Sequence, residues 1–306
     1  MTTSHLHCRA LALIVFFIVS GVTQAANRLA VADQAGPSLK ILSLASNENA
    51  IVIWEWNPRK DPGLTGAMAS SFAAIDECKP VEGGRMILAN ASGGGVAAVD
   101  VATGRAKWCA HPPSGGAGPH SSAILPDGRI AVANSTGMDA LQLIDLNGHP
   151  LNPAKQKVVK ALPVSGAHGV VWDEKRQALF VLGYTNLLKV AYLPETMSVK
   201  VLKTWNFAAA CGDAWGHDLL PDGRGGYFFT NGSAVWRFDP DRGTFECVRQ
   251  IRNVKSFSRD ALQGDLVTFP RQGWGTDRLV VIGTNGIVRT LGPFPKARIY
   301  KARWLP

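Results

Sequence analysis

The chain has 306 residues, 32 Lys and Arg against 23 Asp and Glu, and a formal net charge of +9. That length suits one large β-domain or two small ones. The basic residues are scattered, with no basic stripe and no nucleic-acid-binding signature, so nucleic acid is excluded as an expected partner; long-range attraction of an acidic polysaccharide stays open.

Residues 1–25 open with a short polar stretch holding Arg9, continue through an apolar run over 10–19 and end on Thr23-Gln24-Ala25. This is the pattern of a secretory signal peptide, cut after Ala25 or Ala26. The apolar run is too short to span a bilayer, which takes about 20 residues. Cys8 precedes that run, against a lipoprotein anchor, and no second run of comparable length follows. The expectation is a secreted or periplasmic monomer with no stable membrane insertion.

From there, short apolar or alternating runs separated by turn residues fill the chain, which reads as all-β. Three runs at 28–33, 39–44 and 51–56 lack a fourth partner, and runs at 71–79, 86–90, 96–101 and 106–109 make a complete set. The next set opens at Pro119-His120-Ser121, a further one at Ala167-His168-Gly169, then Gly216-His217-Asp218 and Val254-Lys255-Ser256. The intervals from His120 to His168, His217 and Lys255 are 48, 49 and 38 residues, each room for four strands. A single run at 297–304 is left over, and it completes the first set. The expectation is one domain over 26–306, a six-bladed β-propeller with four strands per blade, closed without an open edge by the C-terminal strand.

Four cysteines lie beyond residue 26, an even number in an exported chain, which points to two disulfides. Their spacing within the blades favours Cys78 with Cys109 and Cys211 with Cys247; four free thiols are the alternative.

Inner strands of a propeller line its central channel, so the residues that open them ring the channel mouth. His120, His168 and His217 hold this phase in three consecutive blades, out of only five histidines beyond residue 26. Converging imidazoles can hold a divalent cation, zinc or manganese, with positions left open for substrate. Alternatively each bonds backbone at a blade junction. Lys255 holds the same phase next, and in the preceding blade it falls near Asp76, with Glu77 and Lys79 close by. Lys255, as base or carboxylate anchor, and His168 are the candidate catalytic residues. Loops opening on the same face are polar or aromatic and suit a sugar; Lys79, Asn134, Tyr184, Arg271 and Trp274 are the candidate substrate-binding residues, with Asp33, Gln34, Asn90, Ser92, Ser135, Asn186, Asn231 and Gln272 also on that face. Ser92-Gly93-Gly94-Gly95 joins two strands and reads as a tight turn, not a phosphate loop.

Pro119-His120-Ser121, the run from His168 to Asp173, Gly216-His217-Asp218-Leu219 and Val254-Lys255-Ser256 resemble an uncharacterised family of exported bacterial propellers. That resemblance spans nearly all of the chain beyond the leader and implies the fold and the histidine ring without an activity. The site alone is similar in type to that of oligogalacturonate lyase, a propeller enzyme whose histidines hold a divalent metal at the channel mouth. Two functions are carried forward: a metal-dependent lyase or hydrolase of an acidic saccharide, and a non-catalytic propeller that binds a glycan, peptide or partner protein.

Overall fold

A computed structural model describes residues 27–44, 50–113, 118–135, 138, 140–271 and 273–306 of the chain. The expected leader, residues 1–25, lies outside the described residues, as does Gln272. The strands form six four-stranded antiparallel sheets. Five sheets each use four strands consecutive in the chain, blades 2 to 6. Blade 1 takes its inner strand, Ile299–Trp304, from the far end and pairs it with Arg28–Asp33, Leu29 opposite Trp304. The expected propeller and its closure are therefore both present. One strand is displaced from its expected place: the inner strand of blade 2 runs Ile75–Val81. The residues ahead of it fold into a short helix, Gly66–Ser70, whose first turn is capped by the Thr65 hydroxyl accepting from Met68 N–H. No helix among the described residues is long and apolar enough to cross a membrane.

Both faces of the middle strands are covered by neighbouring blades, so these strands lack polar alternation. Ile130–Asn134 and Ala178–Leu182 are buried throughout. Two of the blade junctions are aromatic: Trp56 meets Phe72 edge-on at 5.2 Å, and Phe228 meets Phe257 at 5.0 Å. Trp56 Nε1 donates to Asp61 at 2.8 Å, and the same carboxylate oxygen accepts Ala106 N–H at 2.7 Å, tying blade 1 to blade 2.

Five inner strands are launched in one way. Ala74, Gly118, Gly166, Trp215 and Asn253 all have φ between 56° and 73°, and each stands two residues before the residue that reaches the channel mouth. Three of the five are not glycine and hold a left-handed conformation that costs L-residues about 1 kcal/mol. Trp215, the bulkiest, is the least expected there.

One residue below the mouth the channel is plugged by ions. Arg303 Nη2 lies 2.9 Å from Glu77 and 2.6 Å from Asp218, and Lys301 Nζ lies 3.1 Å and 3.2 Å from the same two carboxylates. All four side chains are buried. Burial alone would raise Glu77 and Asp218, but Arg303 and then Lys301 hold both below the usual carboxylate range. Two cations and two carboxylates cancel, which is the condition under which charge can be buried at all.

The disulfide expectation is corrected: all four cysteines are free thiols. Cys78 pairs in register with Ala89, Ala89 with Ala97, and Ala97 with Cys109. The two cysteines thus sit on one row of the sheet, three strand spacings apart, about 14 Å at ~4.8 Å per spacing. A disulfide needs Cα atoms within about 7 Å. Spacing that fits within a blade places its ends on opposite edges of the sheet. Cys78 instead donates weakly to the Lys301 carbonyl at 3.4 Å, and burial keeps its thiol protonated. Cys211, at the end of the short helix Phe207–Cys211, and Cys247, on the outer strand Thr244–Arg249, are near enough to influence one another yet remain thiols.

Candidate functional site

Each blade places one side chain at the same level of the channel mouth: Tyr300, Asp76, His120, His168, His217 and Lys255, in blade order 1 to 6. All six line a cavity of about 450 Å³. By blade count, Tyr300 faces His168 across the ring, and Asp76 faces His217.

The left-handed residue that launches each strand also orients the ring. In blades 3 and 4 it is a glycine whose carbonyl meets the imidazole two residues later, Gly118 to His120 Nδ1 and Gly166 to His168 Nδ1, both at 3.0 Å. A carbonyl only accepts, so each Nδ1 carries the proton and each Nε2 keeps a lone pair. Neither Nε2 has a hydrogen-bond partner among the described residues. The two rings are 4.3 Å apart, and His168 lies 5.2 Å from His217.

His217 is turned differently. Its Nε2 is 2.8 Å from Lys255 Nζ, and its buried Nδ1 has no partner among the described residues. Lys255 Nζ also lies 4.9 Å from the centre of the Trp274 ring, a cation–π contact. Burial, and then the charge of Lys301 beneath, bring the Lys255 ammonium down to about 8.

Burial and mutual proximity keep the imidazoles neutral. His217 is brought to about 3 by burial and by Lys255, and His168 well below the usual range by burial, His120 and His217. Burial lowers His120 too, against the pull of Asp76. Asp76 is raised by burial even though His120 nearby opposes the shift, and Ser92 and Gln34 each donate to it at 2.6 Å. Tyr300 is raised well above its ordinary value by burial and by Asp76, and its hydroxyl has no partner among the described residues. All of these shifts run toward the neutral form and have burial as their first cause, so the floor of the cavity disfavours charge. Around this floor stands an aromatic rim: Trp274 is 68% exposed, Trp215 54%, and Tyr184 packs 4.7 Å from Trp215.

The sequence-based candidates divide accordingly. His120, His168, His217, Lys255, Tyr184 and Trp274 come together in this cavity, as do Gln34, Ser92 and Ser135. Lys79 does not. It is buried lower in the channel, donating to the Ser121 hydroxyl at 2.7 Å and to the carbonyls of Ser122 and Val170 at 2.9 Å, and it borders a different cavity. Asn134 is spent inside blade 3, its amide donating to Gln142 at 2.8 Å and to Pro113 O at 2.9 Å. Arg271 stands outside the cavity, 4.0 Å from Asp277. Sequence reasoning missed Tyr300 and Trp215. Carrying the ring phase into the closing strand finds Tyr300, whereas nothing in the sequence marks the left-handed turn that lifts Trp215 to the rim.

Among the described residues, the three histidines do not present together as a metal-ligating set. His120 and His168 have the Nδ1–H···O=C bond that orients metal-ligating imidazoles. The third nitrogen of the set, His217 Nε2, is held by a lysine cation, and among the described residues no group of three or more His, Cys, Asp or Glu is arranged to hold a metal ion.

Solved structures share the fold. A chain of the nidogen/laminin complex aligns with a TM-score of 0.59 at 13% identity, over 90% of this chain and 97% of that one. A protein of unknown function from Bacteroides caccae gives 0.56 at 14%, over 91% and 98%. A putative 6-phosphogluconolactonase from Bacteroides uniformis gives 0.52 at 14%, over 88% and 82%. At such identities the likeness is one of fold alone. The site-level likeness to oligogalacturonate lyase draws no support from these matches, and no curated protein matches the chain in sequence. A family model does match, over residues 22–306, and the chain therefore belongs to DUF6528, a family of unknown function.

Proposed function

We propose that the channel mouth is the active site of an enzyme that cleaves an acidic saccharide by β-elimination. The observation that carries this reading is the meeting, in one cavity, of an exposed tryptophan rim with a floor of neutral imidazoles, a lysine and a tyrosine whose hydroxyl is free. Aromatic faces suit the apolar face of a sugar ring, and the floor supplies what elimination needs.

In this reading Lys255 pairs with the uronate carboxylate and stabilises the charge that develops on it. His168 Nε2 takes the proton on the carbon next to that carboxylate. The bound carboxylate brings a negative charge beside the imidazoles, which raises their affinity for that proton. As the C–H bond breaks, a carbon–carbon double bond forms and the glycosidic C–O bond opens; Tyr300, across the ring, protonates the departing oxygen. The products are an unsaturated uronate and a free hydroxyl. Hydrolysis of the usual two-carboxylate kind is disfavoured, because among the described residues the cavity is lined by one carboxylate, Asp76, already engaged by Ser92 and Gln34. No step is assigned to a divalent ion; zinc or manganese bound at His120 and His168 would gain His217 only by displacing Lys255. The placement of this activity outside the cytoplasm rests on the leader-like residues 1–25.

The test is turnover of uronate oligosaccharides, read as the absorbance of the unsaturated product, by wild type, by His168→Gln and by wild type treated with chelator. Expected are activity in the untreated wild type, a loss of about 10²-fold or more in the variant, and survival of activity under chelation. Loss under chelation would return the metal to the mechanism. Tight binding of the sugars without turnover would leave a non-catalytic glycan-binding propeller.

A further inference from the structure

A second cavity, of about 470 Å³, adjoins the first, and Gln34 lines both. Among the described residues Asp277 is the one carboxylate on its wall, and Lys296 and Arg298 are its cations. Arg271 and Arg278 approach Asp277 only at 4.0 Å, so positive charge is in excess here.

The backbone of Arg298 is fixed in place, while its side chain is exposed. The backbone N–H donates to Asp33 at 3.0 Å, and the carbonyl accepts from Gln34 N–H at 2.9 Å. Its stem crosses Gly275 so closely that a Cβ there would stand 2.5 Å from Arg298 Cγ. Gly275 follows Trp274, so the arginine is carried against the rim of the first cavity. Among the described residues its guanidinium makes no ion pair and no hydrogen bond. Lys255 thus lies against Trp274, and the Arg298 stem lies against the next residue, Gly275, on the wall of the second cavity.

We infer that the protein takes an acidic oligosaccharide rather than a single sugar, with the carboxylate of the neighbouring unit held by Arg298 in the second cavity. This rests on the saccharide reading of the channel mouth. A guanidinium offers paired donors to a carboxylate, a geometry that lysine lacks. A chain lying over Trp274 places one acidic group at Lys255 and the next beyond the rim.

Calorimetric titration of wild type and Arg298→Ala with galacturonate, glucuronate and mannuronate, each as monomer and as trimer, tests this. Expected is a trimer that binds wild type at least about tenfold tighter than its monomer, and an Arg298→Ala variant that loses most of that advantage while its monomer affinity stays within about twofold. A circular dichroism melt unchanged from wild type confirms that the variant is folded. Trimer affinity unaffected by Arg298→Ala, or weakened only in step with the monomer, overturns the inference. Binding of monomers with no trimer advantage overturns it while sparing the saccharide reading, whereas binding of neither by the wild type overturns both.

Discussion

Two layers of the channel, one residue apart along the same inner strands, treat burial in opposite ways. The upper layer holds Tyr300, Asp76 and His217; the residues that follow them, Lys301, Glu77 and Asp218, form the lower layer with Arg303. Below, Lys301, Arg303, Glu77 and Asp218 each face an opposite charge at 2.6–3.2 Å. Above, three imidazole nitrogens (His120 Nε2, His168 Nε2 and His217 Nδ1) and a phenol go unanswered among the described residues, and the one ammonium leans on an imidazole at 2.8 Å. The lower layer is satisfied within the protein, whereas the upper layer leaves polar atoms facing the cavity that a ligand could meet.

The contrast can be broken most severely in the lower layer. Arg303→Met leaves Glu77 and Asp218 short of their main partner and should cost about 3–5 kcal/mol of stability, read by urea unfolding. The corresponding change above, Tyr300→Phe, removes a hydroxyl with no protein partner and should cost less than about 1 kcal/mol while lowering turnover. Equal stability losses from the two changes would erase the distinction between the layers.

A smaller effect separates them by pH. Lys255 holds a carboxylate only while protonated, and its ammonium titrates at about 8. Affinity for acidic sugars should therefore be complete below that value and fall above it, by up to about tenfold per pH unit. Lys255→Arg should carry the affinity to higher pH, as an isotherm series across that range will show. Smallest of all is the effect of a reductant. With four free thiols, dithiothreitol should leave the melting temperature unchanged, and thiol titration of the denatured protein should find all of them; a melting temperature that falls on reduction would restore a disulfide, with Cys211 and Cys247 the pair to examine.

The propeller was legible in the sequence because its blades repeat, and repetition displays both strand number and phase. The same phase pointed to His120, His168, His217 and Lys255 before any coordinates. What periodicity does not carry is the direction of a side chain within its turn. Lys79 is four residues beyond Ile75 on a ring-forming strand, yet it points down the channel to Ser121. Asn134 closes a strand on the correct face, yet Gln142 on the adjacent strand takes its amide. The cysteine pairing failed for a related reason: distance along a blade was read as distance in space, although the antiparallel meander places its first and last strands at opposite edges. The pairing of His217 with Lys255 needed rotamers, which no pattern of residue types encodes.

The closing strand also sets an order of events during synthesis. Glu77 and Asp218 are made long before Arg303, which lies 226 residues after the first and 85 after the second. Until that last strand leaves the ribosome, the growing chain holds two carboxylates bound for the channel interior with their principal counter-charge missing, and Tyr300 is missing as well. A nascent or truncated chain can form blades 2 to 6 from local pairings but can neither seal the ring nor complete the set of side chains at the channel mouth, so that assembly and the proposed activity should switch on together with the closing strand.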